Sequence, residues 1–327
     1  MIGQHFARGV PVSFVSGFRL LALACTVLFA ALLASTASAR ELKTIGVLVA
    51  DLGNPFFEQV GRGVEGAARR LLGPSATVTV RSSGYDLDRQ IKQIEQFIQE
   101  HTDLLIINAV DTERIGPAVR RARELGVVVV AIDVRASGAQ ATVTSDNIGA
   151  GIMACQYLAH RLGEKGDVLI LNGPPVSSVI ERVKGCRKAL GAFPAIKVLP
   201  ENKDCGGSLE GGLSCMTEIL TKYARIDAIF AINDPTSIGA NIAAARAGRE
   251  EFFIVSIDGS PHGVEVLKEP DTRLAAMVRQ DPRQMTETAV ALGLELFRGQ
   301  GVKNADVEIP VSLLTRENVA KYTDWER

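Results

Sequence analysis

The stretch TIGVLVADLGNPFF, from Thr44 to Phe57, decides how the rest of the chain is interpreted. An apolar run typical of a buried strand leads into a tight turn and then into a predicted helix. Asn54 fits the N-cap of that helix and Pro55 its first position, where the missing N–H loses no hydrogen bond. The turn therefore holds an amide and the rings of Phe56 and Phe57 at the carboxyl end of a strand, where open α/β sheets bind ligands.

This combination of groups favours a particular kind of ligand. Aromatic faces beside amide and carboxylate groups suit a polyhydroxylated ring, which has C–H faces and a rim of hydroxyl groups. A sugar is therefore the first candidate.

The first 39 residues have the order of a secretory signal peptide. Arg8 and Arg19 precede an apolar stretch from Leu20 to Leu33, and Ala37-Ser38-Ala39 follows it. The apolar stretch is shorter than the roughly 20 residues that a transmembrane helix needs. Cleavage is predicted after residue 39, which leaves 327 − 39 = 288 residues in an exported chain. An uncleaved membrane anchor is the alternative.

The net charge and the His and Cys contents restrict the possible functions further. The 36 Lys and Arg residues nearly balance the 37 Asp and Glu residues, so nucleic acid is not expected as a partner. The four His residues are scattered, so no metal site is expected. Four cysteines follow the cleavage site, and an oxidising compartment allows two disulfides with three pairings. Cys205 and Cys215 bracket a glycine-rich stretch and are the favoured pair, whereas Cys155 and Cys186 fit helical patterns as small buried residues.

Apolar strands alternate with amphipathic helices along the exported chain. Strands are predicted to begin near Thr44, Ala76, Leu104 and Val127, and in a second set near Asp167, Ile196, Ala228 and Phe252. Apolar runs without alternation, such as LLIINAV and VVVVAIDV, are typical of a parallel sheet covered on both faces. The pattern predicts an α/β fold of two doubly wound parallel-sheet lobes.

The segment from Thr142 to Gly151 separates the two sets of strands and is interpreted as the first crossing between the lobes. The pieces after Phe252 are expected to return to both lobes, so the hinge has three segments and a cleft lies between the strand ends. The N-terminal lobe is predicted to comprise residues 40–145 and 281–311. The C-terminal lobe is predicted to comprise residues 146–280 and 312–327.

Polar residues recur where the predicted strands end. Any single one is explained by helix capping, but the strand ends of a parallel sheet share one edge, so six such ends facing one cleft indicate a ligand site. Asp146, Asp234 and Asp281 are interpreted as caps or structural residues. The residues closest to the strand ends are better placed to reach a ligand, and they are Asn108, Asp133, Asn233, Asp258 and Gln280.

Eight motifs occur in the order found in type I periplasmic binding proteins, namely GNPFF, INAVD, AIDVRA, TSDN, IERVKG, AINDPTSIGA, SIDGSP and VRQDP. The chain resembles the branch of this family that is similar to ribose-binding protein, within sugar ABC importers. The resemblance runs from about Thr44 to the C-terminal tail. It implies a monomeric periplasmic protein without a cofactor that closes on a monosaccharide and delivers it to an ABC permease in the inner membrane, with a chemoreceptor as a further partner.

The resemblance also implies the ligand contacts. Asn54 is expected to hydrogen-bond a hydroxyl, and Phe56 or Phe57 to stack on the sugar ring. Asp133 is expected to accept two hydroxyls. Arg182, in IERVKG, is expected to reach in from the second lobe onto adjacent hydroxyls, with a surface cation as its alternative. The set is completed by Asn108, Asn233, Asp258 and Gln280, the last also at a hinge crossing.

Two departures from the family pattern leave the identity of the sugar open. The family usually has an adjacent Asp-Arg pair, but here Val134 separates Asp133 from Arg135, so Arg135 is expected to point elsewhere. The family also usually carries an aromatic residue after the sixth strand, where this chain has Asp204-Cys205-Gly206-Gly207. A hexose, a polyol or a branched sugar is therefore as admissible as ribose.

Three other functions are kept as alternatives. A sugar-sensing subunit for a chemoreceptor or a membrane kinase uses the same binding chemistry. An exported sugar-modifying enzyme is less favoured, because no Ser-His-Asp order, phosphate loop or Cys-His pair falls at a strand end. A regulator similar to the lactose repressor would begin with a helix-turn-helix, where this chain has its predicted signal peptide.

Overall fold

The computed structural model describes residues 1, 2, 41–322 and 325. The predicted signal peptide and its cleavage site fall almost entirely outside these residues. Within the described part of the chain, no helix combines the length and the apolar composition that crossing a bilayer requires.

Six strands form the first sheet. They are β1 (Thr44–Val49), β2 (Thr77–Ser82), β3 (Leu104–Ile107), β4 (Val128–Ile132), β5 (Ala141–Ser145) and β11 (Asp306–Ile309). Their spatial order is β11-β5-β4-β3-β1-β2, and all neighbours run parallel. The predicted crossing from Thr142 to Gly151 is wrong in its first part, because Thr142–Ser145 belong to β5. Threonines lower the apolar signal of this strand although all five of its residues are buried.

Six further strands form the second sheet. They are β6 (Lys165–Leu171), β7 (Ala195–Val198), β8 (Ala228–Ala231), β9 (Phe253–Asp258), β10 (Leu274–Arg279) and β12 (Ser312–Thr315). Their order is β12-β10-β9-β8-β6-β7, with only β12 antiparallel to its neighbour among the described strands. All eight strand starts predicted above lie within two residues of the observed starts. The α/β fold of two doubly wound lobes is confirmed.

Nine α-helices cover the two sheets in the described part of the chain. They are α1 (Pro55–Leu72), α2 (Leu87–Gln99), α3 (Gly116–Glu124), α4 (Asn147–Arg161), α5 (Ser177–Leu190), α6 (Leu209–Lys222), α7 (Asp234–Arg246), α8 (Pro261–Lys268) and α9 (Pro282–Phe297). The backbone N–H of Phe56 donates to Oδ1 of Asn54 (3.0 Å), so Asn54 is the predicted N-cap of α1.

The chain passes between the two sheets three times, between β5 and α4, between β10 and α9, and between β11 and β12. The predicted three-segment hinge is therefore confirmed, whereas the residue boundaries of the lobes stay a proposal. Trp325 lies in the range assigned to the second lobe. Its ring nevertheless packs edge-to-face on Phe56 in the core of the first lobe, with 5.8 Å between ring centroids.

Helices α4 and α5 pack closely because each has a glycine at the contact. A Cβ atom on Gly151 would overlap the carbonyl oxygen of Arg182, and a Cβ atom on Gly185 would overlap the carbonyl oxygen of Ile148. No residue with a side chain fits at either position without moving a backbone. The two glycines therefore fix the distance between α4 and α5, and α5 is the helix that carries Arg182.

The same close approach explains a disulfide. The Cα atoms of Cys155 on α4 and Cys186 on α5 lie 5.0 Å apart, and their sulfurs are bonded. The expectation that these two cysteines are only buried apolar residues is therefore wrong. Cys205 and Cys215, the favoured pair, have Cα atoms 5.7 Å apart and are also joined.

We expect Gly151→Ala to lower the free energy of unfolding by about 1–3 kcal/mol, because the added methyl group separates two helix backbones. Gly66→Ala is the matched control on α1, since only the flexible end of Arg70 lies near its Cβ position. The control should raise the free energy of unfolding by up to about 1 kcal/mol, the helix-propensity gain of Ala over Gly. Urea unfolding of both variants with the disulfides intact measures the difference, and equal effects at the two positions would contradict the packing argument.

Candidate functional site

One cavity lies where the carboxyl ends of the strands of the two sheets face each other. Its empty volume is about 530 Å³, a figure that includes open solvent at the mouth. The structure places all nine residues predicted to bind ligand in its lining, and they are Asn54, Phe56, Phe57, Asn108, Asp133, Arg182, Asn233, Asp258 and Gln280. Their contact with a ligand stays a prediction.

Two aromatic rings form one wall of the cavity. The ring centroids of Phe56 and Phe57 lie 5.7 Å apart, with the ring planes at 78°. Both side chains are buried, and Trp325 packs against Phe56 from the core. Because the rings are held by protein contacts, this apolar wall is present before any ligand arrives. From the second lobe, the lining includes Pro174, Val176 and Ile232. They lie beside the loop from Asp204 to Gly207, where the family usually carries an aromatic residue and this chain has none.

Tyr85 is a lining residue that the sequence reasoning missed. It follows the carboxyl end of β2, and its side chain lies close to that of Asn54, another lining residue. Tyr85 keeps 39% of its surface exposed, and partial desolvation of its hydroxyl together with the nearby carboxylate of Asp51 raises the pKa of Tyr85 to about 12, so it stays a neutral phenol. The signal that would have found it is its position, since it follows a strand end as the other cavity residues do.

Asp133 sits in a strained turn at the end of β4. Its φ of +62° is in the left-handed region, and the backbone N–H of Val134 donates to the carbonyl of Ile132 (2.7 Å). The hydroxyl of Thr144 donates to the Asp133 carbonyl (2.7 Å), and Nδ2 of Asn108 donates to its Oδ2 atom (2.9 Å). These contacts hold the carboxyl group at the cavity.

Arg182 crosses the cavity from α5 and is buried, so it is not a surface cation. Its Nε atom donates to Oδ1 of Asn147 (2.8 Å), and one terminal nitrogen donates to the carbonyl of Ile232 (3.0 Å). Its terminal nitrogens lie 3.9 Å from Oδ1 of Asp133 and 3.7 Å from Oδ1 of Asp258. One guanidinium therefore stands between a carboxyl group of each lobe, beyond direct hydrogen-bond distance of both.

The buried carboxyl groups outnumber the buried cation. Burial raises the pKa of Asp133 to about 6, against the opposing effect of Arg182. Burial and the carboxylate of Asp234 raise the pKa of Asp258 to about 8, again opposed by Arg182. Burial also raises the pKa of Asp234. Asp234 does not line the cavity, but it lies close enough to Asp258 to raise the pKa of that group, so the two carboxyl groups of the lining share one guanidinium with a third acid behind them.

Several polar residues beside the cavity have a structural role. Asp146 and Asp281 are the N-caps of α4 and α9, as predicted. Asp234 accepts hydrogen bonds from the hydroxyls of Ser256 (2.6 Å) and Ser260 (2.7 Å). These three residues therefore have the structural role that the sequence indicated.

Asn233 has a structural role in addition to its place in the lining. Its Oδ1 atom accepts from the backbone N–H of Thr236 and caps α7, and its Nδ2 atom donates to the carbonyl of Gly207 (2.8 Å). Half of the hydrogen-bonding capacity of its side chain is used inside the protein, so one N–H and one oxygen lone pair remain for a ligand.

Gln280 joins the cavity to the hinge. Its Nε2 atom donates to Oδ1 of Asp258 (2.8 Å), and its Oε1 atom accepts from the hydroxyl of Ser145 (2.7 Å). Ser145 ends β5 at one crossing between the lobes, and Gln280 follows β10 at another. A movement of the hinge at Ser145 is therefore transmitted to the Asp258 carboxyl group through the side chain of Gln280.

Arg135 bridges the lobes outside the cavity, as the sequence indicated. Its backbone N–H donates to the hydroxyl of Ser177 on α5 (2.9 Å). Its guanidinium lies 3.5 Å from Glu181 on α5, 3.4 Å from Asp306 and 3.6 Å from Glu308 on β11. These carboxylates hold its charge away from Asp133. Among the described residues, no group of three or more His, Cys, Asp and Glu side chains is arranged to hold a metal ion.

The raised carboxyl pKa values predict how the closed cavity responds to pH. The closed, ligand-free form binds more protons than an opened form between about pH 4 and 8, so its stability falls as the pH rises through this range. We expect the radius of gyration of the ligand-free protein, measured by small-angle X-ray scattering, to be larger at pH 8 than at pH 5.

Asp258→Asn removes the carboxyl group with the higher of these two pKa values and should reduce this increase. Asp88→Asn, which neutralises an exposed carboxylate on α2, is the matched control and should respond as the unaltered chain does. Identical radii at the two pH values in the unaltered chain would contradict the prediction.

Comparison with known proteins agrees with this architecture. The model of the periplasmic binding protein domain family matches residues 45–301. The ribose import binding protein RbsB of Salmonella typhimurium (strain LT2) is 29% identical over 295 residues, which are 88% of this chain and 96% of that protein.

Two solved structures are similar along most of their length. A solute binding protein of Bacillus halodurans C-125 with bound myo-inositol has a TM-score of 0.79 and 25% identity, covering 88% of this chain and 99% of its own. The fructose binding periplasmic domain of a hybrid two component system has a TM-score of 0.78 and 25% identity, covering 85% and 92%. The chain belongs to the periplasmic binding protein family and is similar to its sugar-binding, ribose-binding-like members.

Proposed function

We propose that the exported chain is the periplasmic substrate-binding protein of an ABC importer. It captures a monosaccharide or a related polyol between its lobes, as a monomer without a cofactor, and delivers it to a permease in the inner membrane. Cleavage after residue 39 would release the mature chain into the periplasm.

The observation that carries the proposal is the composition of the cavity between the lobes. Phe56 and Phe57 offer an apolar wall, while Asp133, Arg182 and Asp258 offer charged hydrogen-bonding groups from both lobes. A sugar has apolar C–H faces and a hydroxyl rim, so it uses both kinds of surface at once.

Closure of the two lobes follows from the chemistry of such a ligand. Burying a strongly hydrated ring is favourable only when its hydroxyls find partners inside the protein, and here the partners come from both lobes. The ligand therefore favours the closed form by its greater affinity for that form. The closed surface is what a permease would recognise.

Capture without chemical change is the proposed role of the bound state. The relatives reported above are named as binding proteins, and the acids Asp133 and Asp258 of the cavity lie on either side of the Arg182 guanidinium. Incubation of the protein with a sugar that it binds should return that sugar unchanged. Turnover would instead support the exported sugar-modifying enzyme.

A sensory role is the second candidate, and one observation favours it. The fructose binding domain reported above belongs to a hybrid two component system and shares this fold. The two roles differ in the partner of the ligand-loaded protein. Stimulation of ATP hydrolysis by the cognate permease in lipid nanodiscs supports import, whereas activation of a chemoreceptor or a membrane kinase supports sensing.

Arg182→Gln should weaken binding of the preferred sugar or polyol by at least about tenfold, because it removes charged hydrogen-bond donors from the cavity. Arg187→Gln removes an exposed cation from the same helix and is the matched control, with affinity unchanged. A thermal-shift screen of pentoses, hexoses and polyols finds the ligand, and calorimetric titration measures it. Equal affinities for the two variants would contradict the assignment of the cavity as the binding site.

A further inference from the structure

The C-terminal tail connects the two lobes in addition to the three crossings of the hinge. After β12 of the second sheet, Tyr322 packs against the core of the second lobe, and its hydroxyl donates to the carbonyl of Gly259 (2.8 Å). Trp325 belongs to the core of the first lobe, where its ring packs on Phe56 and its carbonyl accepts from Nε2 of Gln59 (3.0 Å). The tail therefore has one anchor on each lobe.

Both anchors of the tail lie next to residues of the cavity. Gly259, which accepts the hydrogen bond of Tyr322, directly follows the lining residue Asp258. On the first lobe, Trp325 contacts Phe56, which lines the cavity itself. Because the lining comes from both lobes, opening the cavity moves the two anchors apart.

The length of chain between the anchors limits how far they can separate. Only two residues stand between Tyr322 and Trp325 in the sequence, so even a fully extended backbone places their Cα atoms at most about 11 Å apart. Opening the lobes beyond this limit requires one anchor to leave its lobe. The tail with both anchors in place therefore favours the closed form.

An unsatisfied polar atom indicates that the anchor on the first lobe is the one that leaves. The Nε1 atom of Trp325 is buried and has no hydrogen-bond partner. An indole N–H without an acceptor is unfavourable in the buried position and gains a hydrogen bond to water when it is exposed, which offsets part of the burial of the ring. The hydroxyl of Tyr322 is already hydrogen-bonded where it lies. Release of Trp325 removes a ring that supports Phe56 from the core.

We propose that Trp325 is a positioning residue for ligand binding, docked behind Phe56 when the lobes close and released from the first lobe when they open. The docked ring holds the stacking face of Phe56 in place, and the docked tail adds to the stability of the closed form. The inference rests on the proposed function for the ligand that stacks on Phe56, whereas the movement of the tail is measurable without any ligand.

Two shortened chains test the connection in the absence of ligand. A chain that ends at Tyr322 lacks the anchor on the first lobe, and a chain that ends at Trp325 keeps it and is the matched control. At pH 5, where the raised carboxyl pKa values favour the closed form, the chain that ends at Tyr322 should have the larger radius of gyration although it is shorter. Small-angle X-ray scattering measures the radii, and circular dichroism verifies that both chains are folded. Equal radii would overturn the inference, whatever the protein binds.

The fluorescence of Trp325 gives a readout that a fixed core residue would not move. Trp325 is the only tryptophan of the chain, so the emission of the protein reports the surroundings of this one ring. The probe is the pentose, hexose or polyol that raises the melting temperature most. Saturation with it should shift the emission to shorter wavelength and reduce quenching by acrylamide, because the ring moves from water into the core. An emission spectrum that a bound compound leaves unchanged would overturn the inference and leave the proposed function intact. If no compound binds, the proposed function fails, and the scattering comparison still decides the inference.

Substitution of Tyr322 separates a connection between the lobes from packing inside the first lobe. Tyr322→Ala removes the anchor on the second lobe and leaves the contact of Trp325 with Phe56 in place. It should weaken binding of the same compound roughly threefold to tenfold in the full chain, but not in a Trp325→Leu variant, where the connection is already lost. Tyr223→Ala is the matched control, since Tyr223 is a half-buried tyrosine on the same core of the second lobe, and affinity should be unchanged. Calorimetric titration measures the affinities, and an equal effect of Tyr322→Ala with and without Trp325 would contradict the proposed connection.

Discussion

The buried guanidinium of Arg182, held between a carboxyl group of each lobe, is the interaction on which the rest of the site depends. It comes from the second lobe and stands 3.9 Å from Asp133 of the first and 3.7 Å from Asp258 of its own. A charge in this position is tolerated only because opposite charges and neutral acceptors surround it. The arrangement ties closure of the lobes to the electrostatics of the cavity.

The fold supplies the support for this interaction at three places. The glycines of α4 and α5 set the distance of Arg182 from the hinge, and the disulfide between Cys155 and Cys186 joins the same two helices. The positive φ of Asp133 turns its carboxyl group into the cavity at the end of β4. Gln280 connects the Asp258 carboxyl group to the crossing at Ser145. The polar groups of the cavity are therefore positioned by elements that also define the hinge.

The strands were predictable from sequence because a parallel sheet buried on both faces leaves long apolar runs. Five of the cavity residues were predictable because strand ends share one edge, and Asn54, Phe56 and Phe57 because they follow the first strand. Arg182, on α5, was expected only from the resemblance to the family, and all nine lie in one lining. β5 was not recognised, since its buried threonines resemble a loop in hydropathy. The Cys155–Cys186 bond was missed because pairing depends on the distance between two helices. The raised pKa values of Asp133 and Asp258 were also out of reach, because they arise from the burial of these carboxyl groups in the folded chain.

The crystal structure of the mature chain with the polyhydroxylated compound that raises its melting temperature most tests the central claim most directly. We expect one ligand molecule in the cavity between the lobes, stacked on the rings of Phe56 and Phe57 and hydrogen-bonded to both Asp133 and Arg182. A ligand bound outside this cavity, or one held by groups of a single lobe, would contradict it.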